Sequence, residues 1–268
     1  SSLMNLSGLY FTMGDYEKAE PPILEAKAIR EKVFGKLHSD FTVSLSNLAT
    51  LYAAMGNYKM AEPLYQEQTL LTWRMAEKAV RHLSERELGG YLNEFSKNLD
   101  LSLSFAHLSS GKNIVTDCFD NSLFYKGFLL QTAGQLKRLS LSDPASAEKF
   151  NLLKSYHRRL ANQYARPIAD RDNKTIDDME AQVNDLEKDL ARTAAGFGEA
   201  TRQVKWQEVQ AALRPDAAAV EFVSYIFYHK EQTESMMYAA LVLSPGAEQP
   251  QFIPLFEEKQ LAALLKTE

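Results

Sequence analysis

The feature that most constrains this chain is an internal repeat. The stretch Asn5 to Glu25 (NLSGLYFTMGDYEKAEPPILE) returns 42 residues later as Asn47 to Glu67 (NLATLYAAMGNYKMAEPLYQE). The identical pairs are Asn5/Asn47, Leu6/Leu48, Leu9/Leu51, Tyr10/Tyr52, Met13/Met55, Gly14/Gly56, Tyr16/Tyr58, Ala19/Ala61, Glu20/Glu62, Pro21/Pro63 and Glu25/Glu67. A fixed period in this range marks a solenoid of stacked supersecondary units, each of which buries its apolar face only against its neighbours.

Each unit reads as a helix–turn–helix. Leu48, Leu51, Tyr52 and Met55 recur at i, i+3, i+4 and i+7, one face of a helix. Gly56-Asn57 ends it, because glycine and then asparagine best tolerate the left-handed conformation that closes a helix. Tyr58, Ala61 and Tyr65 restart an apolar stripe, with Pro63 expected near the start of the second helix. Small Ala19 and Ala61 let the two helices approach closely.

Leu48, Ala49, Tyr52, Gly56, Tyr58, Ala61 and Tyr65 resemble the pattern of a tetratricopeptide repeat. The 42-residue period is similar to the kinesin-light-chain variety, which usually has proline where Ser39 stands. The resemblance implies a binding scaffold and no particular ligand. In that family the position of Asn5 and Asn47 faces the concave groove, where an amide can bond a peptide backbone. Ser46 and Thr50 are expected on the same surface. Asn5, Ser46, Asn47 and Thr50 are therefore the candidate partner-binding residues, the partner being a protein or peptide segment. The alternative is that the asparagine fixes the helix pair internally.

Composition narrows the field. A formal net charge of −5, with no Lys/Arg run longer than dipeptides such as Arg158-Arg159, argues against a nucleic-acid partner. The longest apolar run, Ala217 to Tyr228, contains Glu221 and is too short to span a bilayer. A single cysteine excludes an internal disulfide or a cysteine-based zinc site and fits a reducing, cytoplasmic compartment. No cofactor motif is present. The opening residues read as part of a repeat helix, and only two units are visible. The chain is therefore expected to be a fragment of a longer array, cut also inside its C-terminal part.

Beyond the repeats, Ser84 with Glu87 predicts a capping box opening a helix. Leu88, Leu92, Phe95, Leu99 and Leu103 place one stripe on that helix to about Ser109. A helix follows over 113–141. Asp143-Pro144 opens the next, with Phe150, Leu153, His157, Leu160 and Tyr164 on its buried face. Thr175 and Asp178 open a last one, in which Ile176, Met179, Val183, Leu186 and Leu190 step by 3, 4, 3 and 4, a coiled-coil seam. Residues 84 to about 200 thus read as four helices. After Pro215-Asp216 the pattern changes to strands at Ala219–Tyr228, Tyr238–Leu243 and Phe252–Leu255, with a polar turn over His229–Met236 and a closing helix from about Glu257. The fold class expected is mainly α, helical hairpins and a helical layer, followed by a partial α/β domain with a small sheet. The boundaries are 1–83 for the repeats, 84–214 for a helical connector and 215–268 for the start of the α/β domain.

Several phrases in order resemble bacterial proteins of the CHAT family, caspase-like cysteine proteases fused to tetratricopeptide repeats. They include Ala79-Val80-Arg81-His82-Leu83-Ser84-Glu85, Tyr125-Lys126-Gly127-Phe128, Trp206-Gln207-Glu208-Val209 and Val220-Glu221-Phe222-Val223-Ser224-Tyr225. The resemblance implies a caspase-like sheet at the C-terminal end and a His–Cys dyad in the whole enzyme, the histidine followed by glycine. Here the histidines are followed by Ser39, Leu83, Leu108, Arg158 and Lys230, and Cys118 sits in Thr116-Asp117-Cys118-Phe119, beside an acid that raises a thiol pKa. No residue of this chain is assigned as catalytic. The expected role is the protein-binding, regulatory scaffold of such a protease, or alternatively a stand-alone adaptor with a non-catalytic α/β end.

Overall fold

The computed structural model describes residues 2–93, 96–109, 111–140, 143–193, 203–229 and 231–265. They form two compact units, one of Ser1–Met75, Phe95–Phe124 and Val204–Glu268, the other of Ala76–Glu94 and Tyr125–Gln203.

The first unit begins with the two repeats, α1 (Ser2–Thr12) with α2 (Tyr16–Phe34), and α3 (Ser39–Ala54) with α4 (Tyr58–Ala79). Both turns close identically. Gly14 and Gly56 adopt φ of 76° and 74°. The next amides, Asp15 and Asn57, donate back to the Tyr10 and Tyr52 carbonyls at 2.9 and 2.8 Å. This six-to-one bond needs a residue free to adopt positive φ. Pro63 is the sixth residue of α4, inside the helix rather than in its first turn, so it removes one ladder hydrogen bond. Ala19 and Ala61 are fully buried where the paired helices cross. The Tyr52 hydroxyl donates to Glu20 at 2.6 Å, tying the second hairpin to the first. Glu62, the repeat equivalent of Glu20, accepts the Ile114 amide at 3.1 Å and so reaches forward in the same way.

What Glu62 reaches is a third helical hairpin, α6 (Ser96–Ser109) and α7 (Lys112–Ser140), stacked on the second repeat. The Phe105 ring lies 5.1 Å from Tyr65 and 5.7 Å from Tyr58. Gln66 donates to Asp117 at 2.8 Å, and the Trp73 indole to Asn121 at 2.8 Å. The sequence pattern places residues 84–109 in one helix. The described residues are helical over α5 (Glu85–Asn93) and over α6. Phe95 lies outside the described residues. Every residue from Leu101 to Ala106 is buried. A helix covered on two sides shows no single stripe.

The second cover of α6 is an antiparallel sheet of order β1-β2-β3, with β1 Ala219–His229, β2 Glu231–Leu243 and β3 Gln251–Glu257. The hairpin arms run longer than expected, since Glu231 already pairs with His229 where a polar turn is predicted. Val223 and Tyr225, with Ala239, Leu241 and Leu243, join the core formed by the repeats and α6 and α7. Pairing is irregular between Ile226 and Tyr228. There Ser104 of α6 accepts the Tyr228 amide at 3.0 Å and faces the Ile226 carbonyl at 3.2 Å. A helix side chain thus satisfies backbone groups that the strand ladder leaves free. A short α10 (Glu258–Leu265) follows β3.

Asp100, one turn before Ser104, sits at the same junction. Burial pushes its carboxyl up to about 6, against a backbone hydrogen bond at Ile226 and the Lys97 charge, which pull it down. The folded state therefore binds a proton between about pH 4 and 6 that the unfolded chain releases. Stability from this group rises as pH falls through that window and is lost above it. Asp100→Asn is expected to stabilise the chain by on the order of 1–2 kcal/mol at pH 7.5 and by nothing at pH 4. Urea titrations at the two pH values check this; an equal effect at both would refute it.

The second unit contains α5, the later part of α7, α8 (Pro144–Tyr164) and α9 (Asn173–Thr193). The predicted capping box forms, with the Ser84 amide donating to Glu87 at 3.0 Å and the Glu87 amide to the Ser84 hydroxyl at 3.2 Å. Asp143 caps α8 through the Ser146 amide at 2.8 Å, with Pro144 in the first turn. Asp172 bonds the Thr175 amide and hydroxyl, which starts α9 two residues earlier than Thr175. Leu160 packs with Ile176 and Met179, the start of the heptad seam. The side chain of His157 is half-exposed at the edge of that face rather than on it.

Candidate functional site

The four groove residues do not share one environment. Asn5 and Asn47 lie on α1 and α3 at equivalent positions, and both are exposed. Neither amide has a hydrogen-bond partner among the described residues. Gly8 and Val43 are exposed beside them. This leaves a small, weakly charged surface on the first helix of each repeat.

Ser46 and Thr50 are engaged internally. Ser46 is 4% exposed, bonds the Thr42 carbonyl at 3.1 Å and lies 3.4 Å from the Asn98 amide oxygen of α6. Thr50 donates to the Ser46 carbonyl at 2.8 Å and meets the Tyr65 hydroxyl at 3.2 Å. The structure brings these two together with α6, and leaves the two asparagines open.

Sequence reasoning missed the residues that α6 and β1 bring to this edge. Thr50, Tyr65, Leu101, Phe105, Leu108 and Tyr228 surround a cavity of about 20 Å³, room for about one water molecule. The signal in the sequence was Tyr65, which replaces Ile23 of the first repeat and adds a hydroxyl to a buried position. Burial raises that phenol to about 12, so it stays a neutral hydrogen-bonding group.

The chemistry-bearing side chains of this unit are enclosed. Cys118 is fully buried on α7. Burial, and after it the Asp117 carboxylate, push its thiol well above the ordinary value. A thiol held neutral is a poor nucleophile. His107 Nδ1 lies 2.6 Å from the Tyr225 hydroxyl, and burial lowers the imidazole's pKa. The pair joins α6 to β1. We expect iodoacetamide at pH 8 to modify native Cys118 roughly a hundredfold more slowly than in urea, because access requires opening of the core. Comparable rates in the two states would contradict this placement.

Among the described residues no three His, Cys, Asp or Glu side chains are grouped to hold a metal ion. No described helix is long and apolar enough to cross a membrane. Residues 1–67 match a family model described as a tetratricopeptide repeat. Comparison with curated proteins finds no match.

Proposed function

We propose that this chain is the protein-binding and regulatory scaffold of a CHAT-type, caspase-like cysteine protease, and that an extended protein segment lies across Asn5 and Asn47. On this reading residues 1–83 are the repeats, 84–214 a helical connector and 215–268 the start of the α/β domain. Catalysis is not carried by this chain. The observation that carries the binding role is the pair of exposed asparagines, unpartnered among the described residues, at one position of two matched repeats. An amide offers donor and acceptor together, which suits the alternating groups of a peptide backbone better than a charged ligand. The small neighbours Gly8 and Val43 leave room for a second backbone. The link to the protease rests on the ordered phrases described above and on a small sheet that follows the helices.

Selection of a displayed peptide library on the full chain supplies a probe. Calorimetry of the selected peptide then compares the native chain with Asn47→Ala. Each lost hydrogen bond is worth about 0.5–1.5 kcal/mol net, so one or two losses weaken binding roughly two- to hundredfold. The melting curve is expected to be unchanged, because the amide is exposed. Unchanged affinity with a stability loss above about 2 kcal/mol would make the asparagine structural.

A further inference from the structure

The second unit holds a half-open cavity that the scaffold role does not use. A cavity of about 210 Å³ opens between the segment after α4, α5, α7, α8 and α9. Val80, Leu83, Leu88, Phe150 and Leu153 supply its apolar walls. A cavity of about 150 Å³ lined by such side chains stays dry and admits a benzene ring. This one therefore has room for one ring and a short tether.

Thr132, Glu85, Lys137, Lys154, His157 and Glu187 supply the polar part of the lining. Glu187 is 7% exposed, and both of its oxygens are engaged. One accepts the Glu85 amide at 2.9 Å, and the other lies 3.5 Å from His157 Nε2. Glu187 thus caps the start of α5 and has no free oxygen to receive a ligand cation. Lys137 and Lys154 also border the cavity, both exposed. Neither has an ion-pair partner among the described residues. The Glu85 side chain is the one further carboxylate at the rim. Two unpaired ammonium groups and an imidazole beside an apolar hole favour an anion with an apolar body.

We propose that this cavity binds a small carboxylic acid whose apolar part is about the size of one aromatic ring. The ring sits among Leu88, Phe150 and Leu153, and the carboxylate points to Lys137 and Lys154. Such a site depends on the second unit alone and is independent of the asparagine surface.

The test is calorimetric titration of the full chain with 3-phenylpropionate, 3-phenylpropylamine and 3-phenyl-1-propanol, which share the ring and differ in charge. The acid is expected to bind with a dissociation constant on the order of 0.1–1 mM, reasonable for about eleven non-hydrogen atoms. The amine is expected to bind roughly tenfold more weakly or worse. The double substitution Lys137→Glu with Lys154→Glu alters two exposed side chains and leaves the fold intact; it should reverse the preference between acid and amine. Ala191→Phe fills the cavity and should abolish binding of all three probes, with a melting curve confirming that the variant is folded. Absence of acid binding at about 10 mM, equal affinity for the amine, or indifference to the lysine substitutions would each overturn the proposal.

Discussion

Phe105→Ala lowers the stability of the first unit by about 3–5 kcal/mol, the range for deleting a buried ring. Phe105 is 2% exposed and stands between the second repeat and the third hairpin, with its ring against Tyr58 and Tyr65. Alanine there leaves a hole bounded by two aromatic rings that are themselves held, Tyr65 by its hydroxyl contact to Thr50. The site therefore collapses poorly, which puts the loss toward the upper end. Both tryptophans of the chain, Trp73 and Trp206, belong to this unit, so urea unfolding followed by indole fluorescence reports on it directly. A loss under about 1 kcal/mol would mean that the third hairpin does not pack on the repeats as described.

The second large effect is expected at Tyr225, and here two substitutions separate packing from hydrogen bonding. The ring is 1% exposed on the inner face of β1. Its hydroxyl meets His107 at 2.6 Å, and its ring lies 6.3 Å from Phe252 of β3. Tyr225→Phe keeps the ring and removes the partner of a half-buried imidazole, a loss of about 1–2 kcal/mol. Tyr225→Ala removes the ring as well and should reach about 3–5 kcal/mol. The difference between the variants measures how much of the sheet's attachment is apolar. Equal effects from the two would show that the hydrogen bond, and not packing, holds β1 against α6.

The repeats were legible because their signals are local. The apolar spacing, the turn glycines and the small Ala19 and Ala61 each act within about twenty residues; the glycines, the alanines and Leu48, Leu51 and Tyr52 are placed as the pattern expects, whereas Met55 and the first-repeat Leu6, Leu9 and Met13 are exposed. The capping box at Ser84 and the N-cap at Asp143 are local in the same sense. The strands were legible from β-branched and aromatic runs, although the hairpin arms extend into polar residues whose pairing depends on the partner strand. The two helices of the third hairpin were legible, one ending near Ser109 and the next over 113–141, but their docking on the repeats was not. It rests on Glu62, Gln66 and Trp73 meeting residues about fifty positions away. The groove suffered the same limitation. Periodicity placed Ser46 and Thr50 on the surface of Asn47, but α6 and Tyr65 claim their hydroxyls, and neither partner is signalled by the repeat.

The covering of α6 on two sides has a consequence for biosynthesis. Its neighbours on one side, α3 and α4, precede it in the chain. Its neighbours on the other begin at Ala219, roughly a hundred residues after α6 ends at Ser109. At about 5–20 residues per second the ribosome needs roughly 5–20 s to supply them. During that interval Leu101, Leu103 and Ala106 belong to a hairpin that is docked on the repeats but lacks its sheet, while loops of this size close far faster than a second. The nascent chain therefore passes through a stage in which an apolar helix face is presented to whatever holdase is near the exit tunnel. Synonymous recoding that slows elongation between residues 110 and 218 should lengthen that stage and increase aggregation of the newborn protein, with no change in the finished one.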